Sequence, residues 1–136
     1  MKRLRPPPAP RPVKRLWRVA LGQRARREGR GAEWVAALWL MAKGYRILGF
    51  RLKSRAGEID ILARRGRVLA VVEVKRRATL EGALAAVTGA QRERLLAAGR
   101  AVARGRRSLA GLDLRLDMVA LAPGRFPRHL RGLSWD

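Results

Sequence analysis

Two aliphatic stretches joined through a glycine turn constrain this chain more than anything else in it. Glu58-Ile59-Asp60-Ile61-Leu62-Ala63 and Val68-Leu69-Ala70-Val71-Val72-Glu73-Val74-Lys75 are rich in β-branched residues, and Arg65-Gly66-Arg67-Val68 puts glycine first in a two-residue turn. That pattern predicts a β-hairpin with a type II′ connection. With Gly66 and Arg67 at the centre of the turn, Asp60 falls opposite Glu73 and Glu58 opposite Lys75, all four on one face. The other face then carries Ile59, Ile61, Val72 and Val74. A one-residue slip would bury the charges and expose the aliphatics, so the parity of the hairpin is fixed by burial.

The flanking segments supply the partners such a hairpin needs. Ala32 to Lys43 is apolar almost all round and is followed by Gly44, a good residue just past a helix end, which predicts a buried helix beginning near Gly31 with Trp34 and Trp39 in the core. Tyr45-Arg46-Ile47-Leu48 reads as a short strand, followed by a basic connector through Arg51, Lys53 and Arg55 to a turn at Gly57. Leu84, Val87, Gln91, Leu95, Ala98 and Val102 recur at three- and four-residue spacing and predict one long amphipathic helix with Gln91 on its inner stripe. Leu114 to Leu121 closes as a strand with Arg115 and Asp117 on one face and Leu114, Leu116 and Met118 on the other. The order helix, strand, hairpin, helix, strand predicts an α/β fold, a mixed sheet flanked by helices.

Charge decides which partners to consider. The 136 residues include 32 Lys or Arg against 10 Asp or Glu, a net charge of +22. Eleven of the basic residues fall in the first thirty positions, where Glu28 is the one acid, so residues 1–28 read as a flexible basic arm with Pro6-Pro7-Pro8 at its start and a basic helix from Lys14 to Glu28. Residues 29–122 read as the folded domain, and 123–136 as a basic tail packing on it. Such an excess of cations points to a polyanion, because each phosphate neutralised releases condensed counterions. A membrane surface, an acidic protein and a coding bias toward arginine are the competing explanations.

With no cysteine and with His129 as the one histidine, disulfides, thiol nucleophiles and multi-histidine metal clusters are excluded, and a serine–histidine triad is not expected. The longest uncharged apolar run, Trp34 to Ala42, is too short to span a bilayer, and Glu33 and Lys43 bracket it as they would not bracket a signal sequence. A cytoplasmic location without membrane association is the expectation.

Two carboxylates facing each other across a hairpin, with Cβ atoms roughly 5 Å apart, can share one hard divalent cation. Mg²⁺ or Mn²⁺ suits Asp60 and Glu73, since such an ion keeps waters beside a few carboxylate oxygens. Lys75, two residues after Glu73 on the same face, can orient or deprotonate an attacking water. Each residue also has a plain reading: Glu58 and Lys75 as a cross-strand ion pair, Asp60 and Glu73 as partners of the many arginines. Glu33 would simply be favoured near a helix start, and Gln91 would be an N-terminal helix position with its amide in water. Asp117 reads as a structural partner for Arg115 or Arg46.

Gly57-Glu58-Ile59-Asp60-Ile61, Val71-Val72-Glu73-Val74-Lys75-Arg76-Arg77 and Arg115-Leu116-Asp117-Met118-Val119 resemble the YraN-like family of small bacterial proteins, and the resemblance runs from residue 29 to about 135. Gly31-Ala32-Glu33, Lys43-Gly44-Tyr45-Arg46-Ile47-Leu48 and Pro127-Arg128-His129-Leu130 belong to the same likeness. It implies a restriction-endonuclease-like core of the PD-(D/E)xK kind, akin to Holliday-junction resolvases, with metal-dependent phosphodiester hydrolysis. Carried over by position, Glu33 matches the acid of the first helix, Asp60 and Glu73 the metal pair, and Lys75 the catalytic lysine. Gln91 falls near a polar helix position of such nucleases, with Glu58 and Asp117 in supporting places.

The sequence departs from the pattern where Gly49-Phe50-Arg51-Leu52 stands in place of an Arg-Asn-x-Arg run and where Gln91 stands in place of a lysine. Arg51, Lys53, Arg55, Arg76 and Arg77 are the expected contacts to nucleic acid, DNA in preference to RNA, and a homodimer would suit a two-fold junction. A non-catalytic nucleic-acid-binding module with the same fold is the alternative.

Overall fold

The computed structural model describes residues 31–133. The basic arm and its expected helix lie outside the described residues. Helix α1, described over residues 31–42, ends as its glycine requires: Gly44 takes φ +94°, its N–H donates to the Met41 carbonyl and the Tyr45 N–H to the Leu40 carbonyl, both at 3.0 Å. Strands β1 (Arg46–Lys53), β2 (Glu58–Arg65), β3 (Val68–Arg76), β4 (Asp113–Leu121) and β5 (Arg128–Leu130) form one sheet in that order. All neighbours are antiparallel except β3 and β4, which run parallel. A parallel pair needs a crossover, supplied here by helices α2 (Leu80–Leu84) and α3 (Gly89–Arg104) and a 3-10 turn at Arg107–Leu109. The fold is a mixed α/β one with an open five-stranded sheet.

The turn residue Gly66 has φ +59°, and the β2–β3 register runs from Arg65 opposite Val68 to Ile61 opposite Val72, the pairing that the glycine turn predicts. One face of the sheet meets α1 through Ile61, Ala63, Ala70, Val72, Val119 and Leu121, against Ala36, Ala37 and Leu40. The other meets α3 through Leu62, Leu69, Val71 and Leu116, against Leu95 and Ala98.

Several expectations are corrected. The first strand is longer than Tyr45–Leu48, and a bulge between Ile47 and Gly49 lets it continue through residues expected to form the connector. The long helix is two helices, because Thr88 caps α3: its hydroxyl accepts from the Gln91 N–H and the Gln91 side chain accepts from the Thr88 N–H. Helix α1 buries only one stripe, since a single sheet can cover one side of a helix. Trp34 is 56 % exposed and lies against Phe50, and the half-buried Trp39 lies against the exposed Phe126. Ile59 leaves the face of Ile61 and packs with Leu62 and Leu95, so the pleat is irregular around Asp60. Strand β5 adds an edge that periodicity did not reveal.

Asp117 is fully buried on the α1 face and satisfied on every side. Its carboxylate accepts from Arg115 Nε and Nη2 and from His129 Nε2, each at 2.8 Å, and from the Gly132 N–H at 3.0 Å. Arg115 continues to the Tyr45 hydroxyl, and Lys43 Nζ lies 2.6 Å from His129 Nδ1. A neutral His129 protonated on Nε2 satisfies both neighbours. The partner of Asp117 is therefore Arg115 and not Arg46. The network ties β5 and the chain beyond it to β4.

Burial alone would push the Asp117 carboxyl up; hydrogen bonds from His129, Arg115 and Gly132, with the Arg115 charge, outweigh it and hold it below the ordinary value. A depressed folded-state value stabilises above the unfolded value, and that contribution fades as pH falls through the folded one. Asp117→Asn is expected to cost about 3–5 kcal/mol at neutral pH. Thermal unfolding below pH of about 4 should show a shallower acid loss in the variant than in the wild type; parallel profiles would contradict the network's role.

Gly99 tests the approach of α3. A Cβ there would stand 2.5 Å from Val71 Cγ2 and 3.1 Å from Leu114 Cδ1, so helix and sheet meet more closely than a side chain permits. Gly99→Ala should lower stability by about 1–3 kcal/mol in a urea titration, and an unchanged midpoint would contradict the packing.

Candidate metal centre

Backbone pairing between β2 and β3 ends at Ile61 and Val72, three residues from the start of β2 and four from the end of β3. Past that point a side chain replaces the backbone: Asp60 Oδ2 accepts from the Val74 N–H at 2.8 Å. The substitution leaves the Asp60 carboxyl beside Glu73, whose carboxyl and charge both raise it. Lys75 Nζ lies 3.1 Å from Glu73 Oε2, with both side chains largely buried. Glu58 does not reach Lys75. It stands opposite Lys53 of β1, because the hairpin has already opened.

The Asp60 carboxyl is pushed well above the ordinary carboxylate range. Burial is the largest cause, followed by the hydrogen bond and the negative charge of Glu73, with a further contribution from the charge of Glu33; the Val74 N–H acts the other way. Beside a second acid and partly withdrawn from water, the Asp60 carboxyl favours its protonated form.

A cavity of about 170 Å³ opens onto the pair, lined by Gly57, Glu58, Asp60, Glu73, Gln91, Arg94 and Leu95. Its rim at Gly57 is shaped by Ser54, whose hydroxyl accepts from the N–H groups of Ala56 and Gly57 at 3.1 and 3.3 Å. Gln91 reaches the cavity from the first turn of α3 with its amide oxygen already engaged by the Thr88 N–H at 3.0 Å, which leaves the amide NH₂ for the cavity. Glu33 and Lys75 do not line it. Glu33, on α1, is bound to Arg51 Nη2 at 2.7 Å.

The expected site residues thus divide. Asp60, Glu73 and Lys75 come together, Gln91 faces them across the cavity, and Glu33 acts on Asp60 through its charge. Asp117 belongs to the network on the other sheet face. Lys53, Arg55, Arg76 and Arg77 are exposed beside the carboxylate end of the hairpin, whereas Arg51 is occupied by Glu33. Sequence reasoning missed Arg94, although it follows Gln91 by three residues and so shares its side of the helix. It also assigned no role to His129.

Among the described residues, no group of three or more His, Cys, Asp or Glu side chains forms a ready-made metal cage. Two carboxylates with room for water are nonetheless a hard-oxygen donor set of the kind Mg²⁺ accepts. Among the same residues, no helix is long and apolar enough to cross a membrane.

Fold and site together define a small α/β protein with a carboxylate pair, a lysine and an arginine-lined cavity at the open end of a hairpin. A model of the uncharacterised protein family UPF0102 matches residues 32–121. A UPF0102 protein of Caulobacter vibrioides (strain NA1000 / CB15N) is 62% identical over 83% of this chain and 90% of its own length. Those of Maricaulis maris and Rhodopseudomonas palustris (strain HaA2) are 49% and 46% identical, covering 82% and 96% of this chain and 91% and 94% of their own. The chain belongs to the UPF0102 family, which is the YraN-like family its motifs resemble.

A carboxyl raised by burial and a neighbouring acid, as that of Asp60 is, works against the fold that holds it at neutral pH. Asp60→Asn keeps an oxygen for the Val74 N–H and removes the repulsion, so the metal-free variant should be more stable than the wild type by up to about 1 kcal/mol, roughly 4–8 °C in Tm. A lower Tm in calorimetry without added metal would show the pair to be a structural contact.

Proposed function

We propose that this protein is a metal-dependent endonuclease of the restriction-endonuclease-like class, acting on the phosphodiester bonds of DNA. The observation that carries the reading is the Asp60–Glu73 pair, held in contact at the open end of the hairpin with Lys75 at 3.1 Å from Glu73. A purely structural carboxylate in a chain of net charge +22 would be expected to find an arginine, as Asp117 does. Asp60 instead meets a second acid, an arrangement that a functional site tolerates and a core does not need.

Asp60 and Glu73 would hold Mg²⁺ or Mn²⁺, with water completing the coordination. The ion would supply Lewis acidity to a phosphoryl oxygen and lower the pKa of a bound water. Lys75, ion-paired with Glu73, would orient the attacking water and balance charge as it builds on the phosphate. Gln91 and Arg94 line the same cavity as the carboxylates and would hold the substrate's phosphate there, Arg94 as a charge-assisted donor. The exposed Lys53, Arg55, Arg76 and Arg77 would carry the flanking backbone, which fixes position without reading sequence.

The test is cleavage of labelled duplex, single-stranded, flap and four-way-junction DNA with Mg²⁺ or Mn²⁺, comparing wild type with Asp60→Ala, Lys75→Ala and Arg94→Ala. Cutting should require metal, fall at least a hundredfold in the first two variants, and fall with weakened substrate binding in the third. Binding without cutting, equal in wild type and in Asp60→Ala, would replace the enzyme with a nucleic-acid-binding module. Binding insensitive to salt between low and moderate concentration would remove nucleic acid as the partner.

A further inference from the structure

The sheet covers one stripe of α1, and the stripe that α1 turns to solvent is apolar as well. Trp34, Val35, Leu38 and Met41 are all exposed, Leu38 at 59%, and their spacing places them on one side of the helix. Phe126, 82% exposed, stacks on Trp39 with ring centroids 6.0 Å apart and extends the same surface past the helix. Among the described residues, these five are the large hydrophobic side chains left exposed. Scattered singly they would need no explanation; gathered on and against one helix they mark an interface.

Charge selects the occupant. A chain of net charge +22 repels its own copy over a basic surface, and copies can approach only where charge is absent. From Trp34 to Ala42 the helix carries none. Its ends differ: Glu33 precedes the stripe and Lys43 follows it, each five residues from Leu38. Lys43 is joined at its end by Arg65, whose Nε lies beside Gly44, whereas the Glu33 end holds an acid already matched by Arg51. Two parallel helices would bring the cationic ends together. Antiparallel helices lay each cationic end over the acid end of the other.

We propose that α1 forms the contact of a two-fold homodimer, its helices antiparallel, with Leu38 against the partner's Leu38 and Trp34, Val35, Met41 and Phe126 around that centre. Such an interface is self-complementary, and only a position on the two-fold axis meets its own copy. The carboxylate cavity is lined from α3, on the other face of the sheet, and stays open in both copies. The inference therefore stands whether or not that cavity binds metal.

Sedimentation equilibrium of the full chain, freed of nucleic acid, tests this. A dimer should form and should strengthen from low to moderate salt, because screening relieves the self-repulsion; assembly bridged by nucleic acid would weaken instead. Leu38→Glu and Leu38→Lys should each weaken the dimer about tenfold or more, since each sets like charges face to face, and mixing the two should restore a heterodimer. Leu38 is exposed, so both variants should unfold within a few degrees of the wild type. In this cysteine-free chain, Leu38→Cys should cross-link to its own copy under mild oxidation, and Ala110→Cys, an exposed position beyond α3, should not.

A wild type monomeric at every salt concentration, or a dimer that both charged variants leave intact, would overturn the inference. So would a mixture of Leu38→Glu and Leu38→Lys no more associated than either alone, which would take position 38 off the two-fold axis.

Discussion

The candidate site depends on one hydrogen bond, the Val74 N–H donated to Asp60 Oδ2. Where it forms, a carboxylate takes the place of a backbone carbonyl in the β2–β3 ladder. Three consequences follow from that exchange. The strands part beyond Ile61 and Val72, a cavity opens onto the gap, and the Asp60 carboxyl meets Glu73 rather than solvent. The hydrogen bond also satisfies an N–H that would otherwise be left without its strand partner, so the opening costs the backbone little.

Asp60 and Asp117 show what context does to one residue type. They sit on opposite faces of the same sheet, Asp117 paired in register with Val72, the neighbour of Glu73. Asp117 has an arginine fork, a histidine and a backbone N–H, and its carboxyl lies below the ordinary value; Asp60 has one N–H and another acid, and its carboxyl lies above. Burial raises both. The difference is made by donors, which favour the charged form, against a neighbouring carboxyl, which opposes it. One carboxylate is satisfied by its neighbours and the other is opposed by one.

Much of this was legible in the chain. A glycine-first turn and strict β-branched patterning fix register wherever one slip would bury charge, which is why the facing of Asp60 and Glu73 could be worked out from spelling alone. The same logic failed one step further on. Alternation predicts Ile59 beside Ile61 and Glu58 opposite Lys75, but alternation assumes continued backbone pairing, and the Asp60 side chain ends it. The break after Leu84 was written in Thr88 and Gln91 as a capping box, a signal masked by apolar residues that happen to keep a helical period across it. Strand β5 was not legible: three residues with little aliphatic content are held by Asp117 and by the β4 edge, a tertiary cause that no local period reports.

The acids around the cavity are unevenly matched by cations. Basic residues outnumber acids 32 to 10, and among the described residues the acids withdrawn from solvent mostly stand beside a basic side chain. Glu73 has Lys75 and Glu33 has Arg51, each within ion-pair distance. Asp60 alone of the three has no ion-pair partner among the described residues, although Arg94 lines the same cavity. Pairing Arg94 with Asp60 would fill the space between the α3 residues and the carboxylates and leave nothing for a phosphate to meet. A buried carboxyl beside a second acid is uneconomical for stability, and a divalent ion bound as proposed would relieve that repulsion.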